Sequence, residues 1–499
     1  MQDIANSGND VVLVYPSTGL DVRGVSIGLP MSVLALAAEL VPEFTVRIID
    51  QRLDRKWQQS LAEALNANPL CVGISAMTGH QILHGLHAAR IVKEHSDTIP
   101  VVWGGMHVTL TPEQSLQHPL VDMLIIGDGE HNLLNLVRAI ADKTPLHDVP
   151  GLCWQEQDTV RRNPDGPLLN LDDTSPYPYE LVDIESYISP SDYFLPGVKR
   201  ALPFMASRGC PFRCGFCSQP RLTKVYRKMS PDLVHDRTAA MVERFNLDLV
   251  IFADDEFFAD PVWGTAVANR INGQVKWWVQ ARATDLSRVD LPNMERCGLH
   301  VVCPGLESAS PRILEMINKG QTVEDYYEAN RRLARTGIHA VYGLMMGFPG
   351  ETRQEVYETV DFVLALLREN RRACINSFSL FTPLPGTDLT ELAVERGFKM
   401  PTTLEEWVES TVYNFKTPWI EENLDLYMNL MYTSKFVGPR AKTVWRRLGP
   451  FSSPALDVYS RIIKRRWEKR QFGRTWDINL LRYAHRRLVN PALEGITHP

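Results

Sequence analysis

The stretch Ser207-Arg-Gly-Cys-Pro-Phe-Arg-Cys-Gly-Phe-Cys-Ser-Gln-Pro220 sets Cys210, Cys214 and Cys217 in a Cys-x3-Cys-x2-Cys run. Three thiolates are one short of a closed site. A structural zinc ion usually takes four protein ligands, and a zinc ribbon shows a second Cys-x2-Cys pair. A cubane iron–sulfur cluster held by three cysteines keeps one iron open for a substrate or cofactor. The plain alternative is three core cysteines or a partial zinc site. The other five cysteines, Cys71, Cys153, Cys297, Cys303 and Cys374, have no ligand spacing. That usage is not a disulfide framework and suits a reducing cytosol.

Around this loop the chain alternates strand and helix. Ala201-Leu-Pro-Phe-Met-Ala206 reads as the strand that delivers it, and further strands read at Leu249–Ala253, Trp277–Ala281, Val301–Leu306, Ala340–Met346 and Ser377–Phe381. Six such units suit an open six-strand partial barrel, whose active site gathers at the carboxyl ends of its strands. Polar and glycine-rich motifs fall at those ends. They are Asp254-Asp-Glu-Phe257, Arg282, Gly305-Leu-Glu-Ser308, Gly343-Leu-Met-Met-Gly-Phe-Pro-Gly-Glu-Thr352 and Pro383-Leu-Pro-Gly-Thr387.

The first 145 residues alternate in the same way. Strands read at Val11–Tyr15, Thr45–Asp50, Leu70–Ser75, Pro100–Gly105 and Met123–Gly127, with helices between. This predicts a doubly wound, Rossmann-like parallel sheet with ligands beyond the carboxyl ends of its strands. No Gly-x-Gly-x-x-Gly follows the first strand, so a nicotinamide site lacks its main support. A Pro- and Asp-rich linker, 146–195, joins the two domains. Residues 396–499 are expected to form a helical lid with a basic tail, with helices at Thr402–Tyr413 and Glu421–Phe436.

The 499 residues allow two or three domains, and the apolar share of 44% is that of a globular chain. The net charge of −6 says little about partners. It hides a local excess, because Lys435 to Arg487 holds 15 Lys/Arg against 3 Asp/Glu, interleaved with Trp445, Trp467 and Trp476. The expected reading is a solvated helical face that packs its tryptophans on the body. Docking on an anionic membrane surface is the alternative. The N-terminus is polar and no apolar run approaches bilayer length, so a cytoplasmic setting is expected, with membrane-surface association as its variant. Nucleic acid is not an expected partner.

Taken together, the cysteine run, Phe216 before its last cysteine and the motifs at successive strand ends resemble the radical S-adenosylmethionine (AdoMet) superfamily. The resemblance implies a [4Fe–4S] cluster on Cys210, Cys214 and Cys217, with AdoMet chelating the open iron and cleaving reductively to a 5′-deoxyadenosyl radical. It implies AdoMet contacts at Phe216, at Asp254, Asp255 and Glu256 for the amino group, at Arg282, at Glu307 and Ser308 for the ribose, and at Gly347 for adenine. Acids after a strand also cap helices, so Asp254–Glu256 have a structural alternative, and Arg282 has one as their ion-pair partner.

The first domain is similar to the cobalamin-binding domain found ahead of many radical AdoMet enzymes. The matching pieces are Ser75-Ala-Met-Thr-Gly79, Gly104-Gly-Met-His-Val-Thr109 and Gly127-Asp-Gly-Glu130. They nominate Ser75, Met77, Thr78, Gly79, Gly104, Gly105, His107, Thr109, Gly127, Gly129 and Glu130 as cobalamin contacts. The Asp-x-His-x-x-Gly run that ligates cobalt in mutases is absent, and His107 is assigned to the nucleotide tail. The resemblance implies a C-methyltransferase that uses methylcobalamin. Oxidative cyclisation with the same cofactors is the alternative, as is a non-catalytic cobalamin or iron–sulfur protein. The implied partners are a small substrate (natural product, lipid or tetrapyrrole) and a low-potential flavodoxin or ferredoxin. Methylthiolation is disfavoured, since those enzymes carry further cysteines in the first domain.

Overall fold

Apolar β-rich segments recur through the chain, and in the computed structural model they assemble two parallel sheets. The structure describes residues 9–19, 21, 27–157, 159–188, 197–223, 225–410, 417–438, 453–473 and 476–481. The chain divides into two compact units.

In the first unit, β1 (Val11–Tyr15), β2 (Val46–Asp50), β3 (Cys71–Ser75), β4 (Val101–Gly104) and β5 (Met123–Ile125) form the order β2-β1-β3-β4-β5, all parallel. This is the doubly wound, flavodoxin-like order, and its direction reverses between β1 and β3. Strands buried on both faces need nearly continuous apolar runs, and Val11–Val14 are fully buried. One face packs helix His80–His95 over Val12, Ile74 and Trp103, and the other packs Val33, Ala37 and Leu136 over Val11 and Leu13.

The segment expected as a linker does more than connect. It adds β6 (Leu152–Glu156) and β7 (Thr159–Arg162), an antiparallel hairpin that extends the first sheet beyond β5. Every residue of β7 is exposed, so the segment carries no apolar signature of a strand.

In the second unit, β8 (Ala201–Phe204), β11 (Leu249–Phe252), β12 (Lys276–Ala281), β13 (Leu299–Glu307), β14 (His339–Met346) and β15 (Ala373–Leu380) pair in sequence order, all parallel. The intervening β9 (Ser207–Arg208) and β10 (Arg227–Lys228) form a two-stranded clip across the cysteine loop. Caps fix the helices between strands. Thr322 and Thr352 each open a helix with a reciprocal capping box, to Asp325 and Glu355.

Residues 396–499 do not stay together. Residues 400–410 group with the first unit and the later described residues with the second. The helix expected at Thr402–Tyr413 is only a short turn, Glu405–Glu409, and residues 411–413 lie outside the described residues. Helices do form at Leu424–Thr433 and Ser453–Glu468.

Candidate functional site

The cysteine loop is held by backbone rather than by its thiols. Gly215 N–H donates to Ile317 O (2.8 Å), and Leu389 N–H donates to Gly215 O (2.9 Å). A Cβ at Gly215 would stand 2.6 Å from the Leu389 side chain, so only glycine lets the loop approach so closely. Asn318 Nδ2 donates to Arg213 O (2.8 Å). Burial pushes the Cys210 thiol up to about 12 and raises Cys217, so neither carries a formed thiolate by itself. A bound metal deprotonates its thiols outright. Among the described residues, no three His, Cys, Asp or Glu side chains converge on a point fit for a single ion. Around a cubane each thiolate binds a different iron, so convergence on one point is not required.

The acids after β11 divide their labour. Asp254 is fully buried, and accepts from the Ser207 hydroxyl and from Ala206 N–H (3.3 Å). Burial raises its carboxyl to about 7. Asp255 accepts from Gln219 Nε2 (2.8 Å) and from the Gly209 backbone, and so braces the cysteine loop from both ends. Glu256 is different. It is 3% exposed and its Oε1 has no hydrogen-bond partner. Burial, reinforced by Asp285, holds its carboxyl well above the usual range. An unpartnered buried carboxyl oxygen is costly unless a donor arrives. Of the three acids, Glu256 fits the ammonium of AdoMet, while Asp254 and Asp255 serve as loop anchors.

Opposite these acids lie two cations. Arg282 stacks on Phe212, with Cζ 3.6 Å from the ring centre, and donates to Lys319 O (2.5 Å) and Gly320 O (3.1 Å). Its Nε remains without a partner. Lys319 is buried, bonds Glu307 Oε1 at 2.8 Å and sits 5.9 Å from the Phe216 ring centre. Burial alone would discharge it, but the Glu307 carboxylate holds the ammonium above its ordinary range. Glu307 reaches it from a left-handed backbone conformation, φ 63°. Tyr326 adds a buried hydroxyl without a partner. Sequence reading missed Lys319 and Tyr326 because they lie beyond the helix that follows β13 rather than at a strand end. The one signal available was the Asn318-Lys-Gly-Gln-Thr322 turn ahead of a capping threonine.

Two nominated residues are already engaged. Ser308 is fully buried, accepts from Ser310 N–H (3.1 Å) and pairs with Thr359 Oγ1 (3.3 Å). It shapes the turn after β13, and its hydroxyl is already engaged there. Gly347 donates its N–H to Glu351 (2.5 Å), and its carbonyl accepts from Trp419 Nε1 (2.8 Å). Its contribution to an adenine pocket is therefore shape, with φ 75°, rather than hydrogen bonding.

In the first unit the nominated residues separate into a surface and its supports. Met77, Gly105 and Gly127 are exposed at the carboxyl edge, with Ser75, Gly104 and Thr109 half-buried beside them. Nothing lies within 4 Å of where a Gly127 Cβ would be, so this edge is open to a ligand. Gly105, φ 105°, is packed so that a Cβ would meet Ala76 O at 2.9 Å. Gly79 is likewise confined to a glycine conformation, φ 112°. Gly129 is backed by Leu36 and Glu130 is buried.

His107 is a correction. It is fully buried, Nδ1 bonds Thr78 Oγ1 (2.9 Å), Nε2 bonds Thr111 Oγ1 (3.2 Å), and its ring packs edge-on against Trp407. Burial lowers it to about 4, so it is a neutral strut whose two ring nitrogens are already engaged within the protein. Sequence reading also missed the turn after β1, where Ser17 and Thr18 hydroxyls donate to Asp21 (2.6 and 2.7 Å) beside the switch point.

A doubly wound sheet with an open edge and a parallel barrel carrying a three-cysteine loop define a two-cofactor enzyme class. Comparison with known proteins agrees. Residues 205–363 match the radical SAM superfamily, and residues 20–137 match the B12 binding domain. An uncharacterized methyltransferase of Pyrococcus horikoshii is 29% identical over 86% of this chain and 93% of its own length. The anaerobic magnesium-protoporphyrin IX monomethyl ester cyclase of Rubrivivax gelatinosus is 30% identical over 70% of this chain and 61% of its own. Among solved structures, the radical AdoMet methyltransferase TsrM of Kitasatospora setae, with cobalamin and [4Fe–4S] bound, has the same fold. The TM-score is 0.66 at 16% identity, covering 96% of this chain and 100% of that one. The chain thus carries a B12-binding domain followed by a radical SAM domain.

Proposed function

We propose that this enzyme transfers a methyl group to an unactivated carbon of a small substrate, with a [4Fe–4S] cluster, AdoMet and cobalamin as its cofactors. The observation that carries the reading is the buried Glu256 beside the three-cysteine loop, whose Oε1 has no hydrogen-bond partner, in a chain that also presents an open glycine edge on a B12-binding domain. When bound, the cofactors supply a carbon radical for hydrogen abstraction and a methyl group for transfer.

The chain's own part is placement. Cys210, Cys214 and Cys217 would hold three irons. Glu256 would accept the AdoMet ammonium as a charge-assisted hydrogen bond. Arg282 Nε and the Tyr326 hydroxyl, both unpartnered, are donors suited to the methionine carboxylate. The Glu307 carboxylate, free on its second oxygen, would take the ribose hydroxyls. On the first unit, Ser75, Met77, Gly105 and Gly127 would lie under the corrin.

Relatives suggest the substrate class. Matches include bacteriochlorophyllide methyltransferases and a hopanoid C-2 methylase, so a tetrapyrrole or a lipid is favoured. The cyclase relatives favour ring closure with the same cofactors as the second reading. A flavodoxin or ferredoxin would supply the low-potential electron. AdoMet carrying an isotopic methyl label tests the first reading. The cobalamin-loaded, reduced protein is expected to pass the label to its bound cobalamin. Unlabelled cobalamin after AdoMet has been consumed would leave the cyclase reading.

A further inference from the structure

Helix Ser453–Glu468 is two-sided. Ile463, Arg466 and Trp467 are buried, and Trp467 packs on Phe378 and donates to Thr433 Oγ1 (2.9 Å). Of the three tryptophans expected to pack on the body, Trp467 does, Trp476 does not, and Trp445 lies outside the described residues. The other face is not covered. Val458 is 49% exposed and Ile462 is 50% exposed, and they stand one turn apart. The same face continues with Arg465, and Lys469 follows just past the helix end. Beside it, Asp477 anchors the segment 476–481 through a buried ion pair with Arg466 (2.9 Å) and a hydrogen bond from Tyr459 (2.9 Å). That segment presents Trp476, 70% exposed, and Leu480, 63% exposed.

Among the described residues, four of the thirteen large exposed apolar side chains therefore fall within residues 458–480, on two neighbouring segments. Among the described residues, Arg461, Lys464, Arg465 and Lys469 make no ion pair with a carboxylate, unlike Arg466 and Arg470. Apolar side chains beside uncompensated cations complement a surface that is negative outside and apolar beneath. We propose that this face docks peripherally on an anionic lipid bilayer, with Trp476, Leu480, Ile462 and Val458 inserted at the acyl boundary and the cations on the headgroups. Among the described residues, no helix is long and apolar enough to cross a membrane, so the contact is interfacial. The proposal does not depend on which reaction the barrel performs.

The test is cosedimentation of the full chain with vesicles of phosphatidylcholine alone and of phosphatidylcholine mixed with phosphatidylglycerol. Binding is expected on the anionic vesicles, weakened by salt, with each cation contributing about fivefold in affinity. The exposed pair I462E and W476E should together weaken binding at least about tenfold with unchanged thermal unfolding. R465E with K469E should remove the preference for anionic vesicles. Equal binding to both vesicles, or unchanged binding by these variants, would overturn the proposal. So would a wild-type dimer that I462E with W476E dissociates in the absence of vesicles, because the face would then meet a second copy of the chain.

Discussion

Lys319 Nζ bonds Glu307 Oε1 at 2.8 Å inside the barrel, and Glu307 supports that bond from a left-handed backbone at φ 63°. A non-glycine residue held there costs about 1–3 kcal/mol and persists only where its surroundings fix it. The pair stands close to Phe216 of the cysteine loop and to Arg282, which binds the Lys319 carbonyl.

Removing one partner exposes what the pair does. Lys319→Met leaves a buried carboxylate unpaired, a loss of about 3–5 kcal/mol. Glu307→Gln keeps the shape and is expected to cost less stability. It should still weaken AdoMet binding about tenfold or more, read by calorimetry on cluster-loaded protein, if Glu307 takes the ribose.

Alanine at Cys210, Cys214 or Cys217 singly should abolish the iron–sulfur chromophore and bring bound iron and sulfide close to background. The loop is pinned by Gly215 and Asn318 rather than by its thiols, so thermal unfolding of the apo-protein should change little. Retention of a full cluster in any of the three variants would contradict the assignment.

Between about pH 4 and 7 the two units should respond to pH in opposite directions. Asp254 ionises near 3.8 when unfolded and about 7 when folded, so between these values the folded state holds a proton that the unfolded state has lost. Its contribution is therefore lost as pH rises through that window. His107 behaves oppositely. It falls from 6.5 to about 4 on folding, so its contribution is lost as pH drops from 6.5 toward 4. Denaturant melts of apo Asp254→Asn should lose the fall in stability as pH rises from about 4 to 7 and keep the opposite, His107 slope, so stability should rise more steeply with pH over that window.

Gly127 and Gly105 separate ligand contact from folding. Asn tolerates φ 76°, so Gly127→Asn should fold normally. Its side chain would fill the open edge and lower cobalamin retention after gel filtration. Gly105→Ala would drive a Cβ against Ala76 O and should destabilise the first unit even without cobalamin.

Much of this was readable from residues. Ten of the main parallel strands, from Val11–Tyr15 to His339–Met346, formed within about two residues of the apolar runs that announced them, because strands buried on both faces must be apolar throughout. β7 was not readable, since Thr159–Arg162 is wholly exposed and holds a single apolar residue, Val160. Loop motifs disclosed which residues cluster but not which way a side chain turns. Gly104–Thr109 was placed at the sheet edge, yet its His107 points inward to Trp407, nearly 300 residues away in sequence. The Asp254–Glu256 run announced acids near the cluster. Only burial and hydrogen bonding show that two of them brace the loop and that Glu256 Oε1 is left without a partner.

The most direct test of the central claim uses anaerobically purified protein with reconstituted cluster and added cobalamin. Bound cobalamin is read by its visible spectrum, and 5′-deoxyadenosine and S-adenosylhomocysteine are quantified after adding reductant and AdoMet. Retained cobalamin with both products is the predicted result, and Glu256→Gln should reduce both products. Deoxyadenosine without bound cobalamin or S-adenosylhomocysteine would contradict methyl transfer, and absence of AdoMet cleavage by a fully loaded cluster would contradict the radical mechanism itself.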